Sequence, residues 1–263
     1  ADVVYALDLY ARVTGDAAFA RQAEEVYIET ACFWRSRYTS APDGTSFDLL
    51  FCKGPDEYCG ITSNNLFTNV MVRHNLHLAL AAARRMQRKD PDRFAALCLS
   101  EEELAGWQAL EQGIQIPRDP VTGHLRADDS FQLLEPVDPA TLKQGDAASY
   151  HQVCFDRLQR YQVIKQADTL LAMTRLPDAF TPQEKQAAWQ AVVFGFAGLH
   201  FTAGGPALAP TCLTAGRACI SVSTGTAPRT APMCAAIPPE GYRQASSSAR
   251  NEQRQIFRKR ADV

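Results

Sequence analysis

Two carboxylates side by side, in a stretch with no helical or strand period, are the first residues here that could do chemistry. They are Asp56 and Glu57 in KGPDEYCGITSNNLFTN, residues 53–69, which also carries Gly54-Pro55, Tyr58, Asn64 and Asn65. Long aperiodic loops are where a rigid scaffold presents functional side chains. A carboxyl group there can hold or release a proton for a reacting bond if its surroundings tune its pKa to the working pH. On spacing alone, the same pair could be ordinary solvated charges, or could cap the helix that starts near Asn65. Lys165 and Gln166, in IKQAD, set an ammonium beside an amide. Such a pair suits neighbouring hydroxyls, and equally suits a solvated helix surface.

The elements that must position these residues read as helices. Val3, Val4, Leu7, Leu9, Tyr10 and Val13 make an amphipathic segment stopped by Gly15. Phe19, Ala23, Val26, Tyr27, Thr30 and Trp34 continue at spacings of three and four, as one face of a helix reaching about residue 38. Pro and Gly then break the period. A third helix is expected from about Asn65 through NVMVRHNLHLALAAARRMQRK, whose basic last turn suits the helix dipole. Ser100 is a good N-cap for SEEELAGWQALEQ, with its acidic first turn. Residues 116–139 read as a long, Pro-rich loop. Val153, Leu158, Tyr161, Ile164, Ala167 and Leu171 predict a helix from about Tyr150 that ends before Pro177. Thr181, Pro182 and Glu184 open another in capping-box style. Without alternating β patterns or a fixed-period repeat, the fold class is all-α.

Composition narrows the partners. The 263 residues are 46% hydrophobic and 21% charged, with a net charge of −2, which argues against a nucleic-acid surface. No apolar run approaches the roughly 18–20 residues of a membrane span. The eight cysteines are scattered without metal or disulfide spacing, as are the five histidines. No metal site is expected, and free thiols fit a reducing cytoplasm. The first residue is Ala, and a helical pattern is running by position 3. The chain is therefore expected to be part of a longer protein.

GPDEY followed by NNLFTNVMVRHNL resembles the signature of glycoside hydrolase family 65, which includes the maltose, trehalose, kojibiose and nigerose phosphorylases and the acid trehalases. ADVVYALDLYARVTGDAAF and EVYIETACFWRSR resemble the family's two preceding helices. DDSFQLLEPVD and YQVIKQADTLLAM resemble the two blocks that follow, in the same order. The similarity covers residues 1–190. It implies part of an (α/α)6 barrel, whose twelve helices need on the order of 350 residues, so residues 1–190 make a partial central catalytic domain.

The resemblance implies roles residue by residue. Glu57 matches the general acid that protonates the leaving oxygen of a glycosidic bond, a task that needs a raised pKa. Asp56 could raise that pKa by like-charge repulsion, or hold the loop by hydrogen bonds. Lys165 and Gln166 match positions that bind the glucosyl unit, Tyr58, Asn64 and Asn65 line the acid's loop, and Asp128 and Asp129 sit in a matched loop behind the site. Family members often carry His and acidic residues where this chain has Cys59, Gly60 and Ile61, which leaves the acceptor sugar open. The family's phosphorylases invert configuration. Phosphate attacks an α-glucoside opposite the acid and gives β-glucose 1-phosphate, with no cofactor and with phosphate as co-substrate. A hydrolase needs instead a second carboxylate roughly 6.5–9.5 Å away to activate water. The partners so implied are a disaccharide and phosphate, with neither nucleic acid nor membrane. A homo-oligomer of the full-length protein stays open, as do an acid-trehalase-like hydrolase and a helical binding module without chemistry.

Residues 191–263 differ in kind. Their acidic residues are Glu240, Glu252 and Asp262, against eight basic ones, and FTAGGPALAPTCLTAG has no period. The tail is expected to be irregular, either disordered or translated out of frame. The family's His-Asp-Ser-Ser-Leu-Ser-like phosphate block should stand near residues 204–210, where this chain reads GGPALAP. If the frame has shifted, the nucleotide sequence after residue 190 should restore that block in another frame; a search of all frames that finds none would dispose of the idea.

Overall fold

The computed structural model describes residues 1–136, 158–190, 199–202 and 205–208. Helix α1 (Asp2–Thr14) ends at Gly15, whose left-handed φ of 67° closes the helix with a hydrogen bond from its N–H to Ala11 O. Asp16 caps α2 (Ala17–Arg37), its carboxylate accepting from the amides of Ala18 and Phe19. A two-residue antiparallel pair, β1 (Thr39–Ser40) with β2 (Phe47–Asp48), leads into the loop that carries Asp56 and Glu57. Then come α3 (Leu66–Lys89), α4 (Pro91–Ala96), α5 (Glu101–Gly113), α6 (Asp168–Arg175) and α7 (Pro182–Gln190).

Helix α3 is the axis of the domain, packing against α1, α2, α4, α5 and α6. Its 24 residues bury two successive cores. Val72, Leu76, Ala79, Ala82, Ala83 and Met86 meet Ile28 and Ala31 of α2 and Leu104, Trp107 and Leu110 of α5. Toward its N-terminus, Leu66, Phe67, Val70 and Met71 meet Ala172, Met173 and Phe180. The alanines let α2 and α5 approach closely, while the bulkier first turns leave room for loops. Two buried asparagines tie α3 to its neighbours: Asn75 donates to Tyr27 O at 3.1 Å, and Asn69 donates to Gln115 O at 2.7 Å while accepting from Tyr38 Oη at 2.8 Å.

The expected helices at the N-terminus, from Asn65, from Ser100 and from Thr181 are all present, and Ser100 with Glu103 completes a reciprocal capping box. The described part of the long loop, 116–136, is irregular apart from a 3-10 turn at Phe131–Leu133 and single bridges of Arg118 to Leu125 and of Glu135 to Tyr161. Three expectations need correction. The buried stripe of α2 runs through Ala23, Glu24, Tyr27, Ile28, Ala31 and Cys32, a strip rotated from the expected face, which leaves Val26 exposed. A buried Glu rather than an apolar residue marks it, so hydrophobicity alone misplaces the face. The helix expected from Tyr150 to Pro177 is not continuous. Residues 150–157 lie outside the described residues, Leu158 is helical, 159–167 are turns and bends with a single bridge at Tyr161, and helix resumes only at Asp168. Third, within the tail expected to be irregular, β3 (Leu199–Thr202) pairs antiparallel with β4 (Gly205–Leu208); the rest of 191–263, with the out-of-frame expectation, lies outside the described residues. No helix among the described residues is long and apolar enough to cross a membrane.

Two cations meet the buried Glu24: Arg85 of α3, through Nε at 2.9 Å and through Nη2, and Arg93 of α4 at 2.6 Å. Removing Glu24 takes the main carboxylate from Arg93, which is largely buried and keeps only Arg21 O and Glu25, while half-exposed Arg85 can turn to water. Glu24→Ala should therefore lower the unfolding free energy by about 2–4 kcal/mol in urea titration, far beyond the effect of an exposed Glu→Ala change.

Candidate active site

The loop that carries Asp56 and Glu57 has a closed neck. Cys52 and Thr62 exchange a pair of backbone hydrogen bonds, each 2.8 Å. Asn64 follows with a positive φ of 51°, a conformation Asn tolerates better than most residues. Its side chain accepts from the Leu49 amide at 2.9 Å and donates to Asp48 at 2.7 Å and Asp129 at 2.8 Å. Asn64 thus joins β2, the loop and the Asp128-Asp129 segment. Asn65 caps α3, accepting from Thr68 N at 3.0 Å, so neither Asp56 nor Glu57 is that helix's cap. Asp128 shapes its own turn, accepting from the amides of Ser130 and Phe131 at 2.7 and 2.8 Å.

Asp56 and Glu57 do different work. Asp56 is buried, and its Oδ1 accepts from the amides of Tyr58 at 3.1 Å and Lys165 at 2.9 Å, with Gln166 N at 3.5 Å. Of its two expected roles, it takes the loop-holding one. Burial raises its pKa, against the lowering effect of these amides. Glu57 reaches out, its side chain 58% exposed, and accepts from Lys165 Nζ at 2.5 Å and Gln166 Nε2 at 3.1 Å. Its own amide donates to Gln166 Oε1 at 2.9 Å. Glu57, Lys165 and Gln166, picked out from distant blocks, therefore stand in one cluster. The Lys165 hydrogen bond, followed by its charge, holds the Glu57 carboxyl below its ordinary range. In this arrangement Glu57 is a carboxylate, where an acid catalyst needs a proton at this position.

The interrupted helix explains the cluster. Inside a helix the amides of Lys165 and Gln166 would point at carbonyls four residues back; in the 159–167 turns they are free to donate to Asp56. Beside the cluster is a cavity of about 600 Å³ whose lining includes Asp56, Tyr58, Asp128, Tyr161, Gln166 and Asp168.

Asp168 is the site residue that sequence reasoning missed. It is 4% exposed, and its Oδ2 accepts from Asn65 Nδ2 at 2.7 Å. Desolvation pushes its carboxyl up to about 6, with the charges of Asp56 and Asp128 adding to the rise. A continuous helix would have put Asp168 on an ordinary helical surface. The available signal was an acid two residues after Gln166, at the place where a helix could begin.

Helices packed around one long central helix, with an acid loop set between two irregular segments, define an all-α domain with a polar site at its helix ends. The sequence model of the glycosyl hydrolase family 65 central catalytic domain matches residues 1–191, and the chain belongs to that family. It is 35% identical over 186 residues to an alpha,alpha-trehalose phosphorylase of Geobacillus stearothermophilus, covering 68% of this chain and 24% of that protein. A kojibiose phosphorylase of Halothermothrix orenii is 29% identical over 191 residues, covering 71% of this chain and 24% of that protein. A solved structure assigned as a kojibiose phosphorylase from human microbiome superposes with a TM-score of 0.59 at 20% identity, over 78% of this chain and 38% of that one. That likeness shares the fold. The chain spans about a quarter of the length of these curated relatives.

Asp168 makes a pH prediction. Its folded pKa lies above the unfolded value of 3.8, so the native state binds the extra proton between the two values. That contribution is full below about 4 and lost as pH rises through about 6, an effect of about 3 kcal/mol. Melting followed from pH 4 to 8 should show the wild type losing more stability than Asp168→Asn; parallel curves would mean that Asp168 ionises without penalty.

Proposed function

We propose that this chain carries the acid half of an inverting glycoside phosphorylase that cleaves an α-glucosyl disaccharide. The observation that carries the reading is the contact of Glu57 with both Lys165 and Gln166 across the two segments. Glu57 is the proton donor, and Lys165 and Gln166 hold the hydroxyls of the glucosyl unit. The exposed Glu57 carboxyl is open to approach by a glycosidic oxygen from solvent. As the C1–O bond breaks, its proton passes to that oxygen, and phosphate forms the new C1–O bond from the opposite face. The products are β-glucose 1-phosphate and the released sugar, and the carboxylate regains a proton from solvent.

Lys165 and Gln166 give this reaction a built-in control of acidity. Glucosyl hydroxyls compete with Glu57 for their donors. A bound sugar that takes over Lys165 and Gln166 removes the hydrogen bonds that lower the Glu57 pKa, and at the same time shields the carboxyl from water. Both changes favour the protonated form. Phosphate arrives as an anion and needs no base, so the chemistry calls for no cofactor. The residues that hold it are assigned outside residues 1–190. Cys52 and Cys59 form no disulfide among the described residues, and a cytoplasmic setting is part of the proposal.

The test uses the complete protein with trehalose, kojibiose, maltose and nigerose. Phosphate-dependent release of glucose 1-phosphate supports the phosphorylase; phosphate-independent release of free glucose supports a hydrolase instead. Glu57→Gln should lower kcat on the disaccharide by on the order of 10²–10⁴. It should lose much less on α-glucosyl fluoride, whose leaving group needs no proton. Equal losses on both substrates, or none, would remove Glu57 from the acid role.

A further inference from the structure

The assigned roles leave Asp168 unexplained, although it is among the most constrained polar residues of the domain. As the first residue of α6 it is 4% exposed. Its Oδ2 accepts from Asn65, while its Oδ1 has no hydrogen-bond partner among the described residues. A buried carboxylate oxygen without a partner is costly, so stability alone does not account for an acid here. Asn65, which gives Nδ2 to Asp168, uses its Oδ1 to cap α3, accepting from Thr68 N and Thr68 Oγ1, both at 3.0 Å. The Asp168–Asn65 pair therefore ties the starting turns of α3 and α6 together.

Gly54 lies directly against that pair. A Cβ at position 54 would stand 2.3 Å from Asn65 Nδ2 and 2.4 Å from Asp168 Oδ2, far inside contact distance. The acid's loop thus leaves Lys53 with its backbone pressed on the Asp168–Asn65 wall. Pro55 restricts the next φ. Two residues beyond Gly54, Asp56 grips the amides of Lys165 and Gln166, and Glu57 follows.

We infer that Asp168 is the positioning residue of the acid loop: paired with Asn65, it forms the wall against which Gly54 seats, and so fixes where Glu57 stands between Lys165 and Gln166. Its effect on turnover rests on Glu57 being the proton donor; its effect on the loop does not. A residue that only fastened α6 to α3 would stabilise the fold while leaving residues 54–58 unchanged.

Two variants of the complete protein separate these cases. Asp168→Ala removes the wall. The exchange Asp168→Asn with Asn65→Asp keeps an N-cap on α3 and keeps an amide–carboxylate hydrogen bond with donor and acceptor swapped. In Asp168→Ala, amide hydrogen exchange should accelerate at Tyr58, Lys165 and Gln166, the donors to Asp56, while the middle of α3 keeps its protection. With trehalose or kojibiose and inorganic phosphate, kcat should fall roughly 100-fold, the loss expected for a reacting group misplaced by about 1 Å, and KM should change little. The swapped pair should restore both. Unchanged exchange at those three amides in folded Asp168→Ala overturns the assignment, as does a loss that the swap leaves in place. Should Asp168→Ala fail to fold, Asp168→Asn alone is judged by the same measurements. If exchange rises as expected while Glu57→Gln keeps full turnover, the loop assignment stands and the proton-donor role falls.

Discussion

One carboxylate oxygen, Asp56 Oδ1, joins two chain segments 109 residues apart into a single site. Its acceptance of the Lys165 amide depends on that amide not being spent in a helix. The interruption of helix between Leu158 and Asp168 is therefore a structural requirement, since it frees backbone donors that the acid's loop then uses. Everything nearer the chemistry follows from this junction. Lys165 and Gln166 can turn their side chains to Glu57 only because their backbones are pinned one residue away, at Asp56.

The electrostatics divide the carboxylates by the company each keeps. Asp56 and Asp128 are buried but meet several N–H groups, which partly offset their desolvation. Asp168 accepts from the Asn65 side-chain amide on one oxygen and more weakly from the Asp56 backbone N–H, and burial still lifts its carboxyl to about 6. Glu57, the group with a proposed proton to give, is exposed and paired with an ammonium, and is pushed the other way. In the proposed reaction, an acid whose resting partners are also the proposed sugar-binding residues has its protonation coupled to occupancy. Binding and acidity are then controlled by the same Lys and Gln.

Much of the scaffold is legible in the sequence because its signals are local. Gly15, Asp16, Asn65, Ser100 and Thr181 each mark a helix boundary through hydrogen bonds within a few residues. The GPDEY and IKQAD blocks carry the candidate site in the same way, through the resemblance to the family. What failed were inferences from period. The stripe of α2 is set partly by Glu24, whose burial depends on Arg85 and Arg93, more than 60 residues away. The segment from Tyr150 has helical spacing but ends in turns, because its last residues are held by Asp56 across the fold. Asp168 was passed over for a related reason. Its significance depends on Gly54 and Asn65, and no window of local sequence contains all three.

The geometry also explains why loops rather than helix faces build this site. A helix fixes the direction of its side chains but spends its amides internally, so it can present Lys165 or Gln166 to a ligand only through their tips. Irregular backbone presents amide and side chain together. Its weakness is entropy, since an unrestrained loop of this length would sample many positions for Glu57. Here that freedom is removed at three places: the Cys52–Thr62 neck, the Asn64 bridge to Asp48 and Asp129, and the seat of Gly54 on Asn65 and Asp168. The first two fix the loop's ends. The third, like the bonds of Asp56 and Glu57 to Lys165 and Gln166, acts on the limb that carries Glu57, which makes a glycine with no side chain, and the buried acid behind it, relevant to where the Glu57 carboxyl stands.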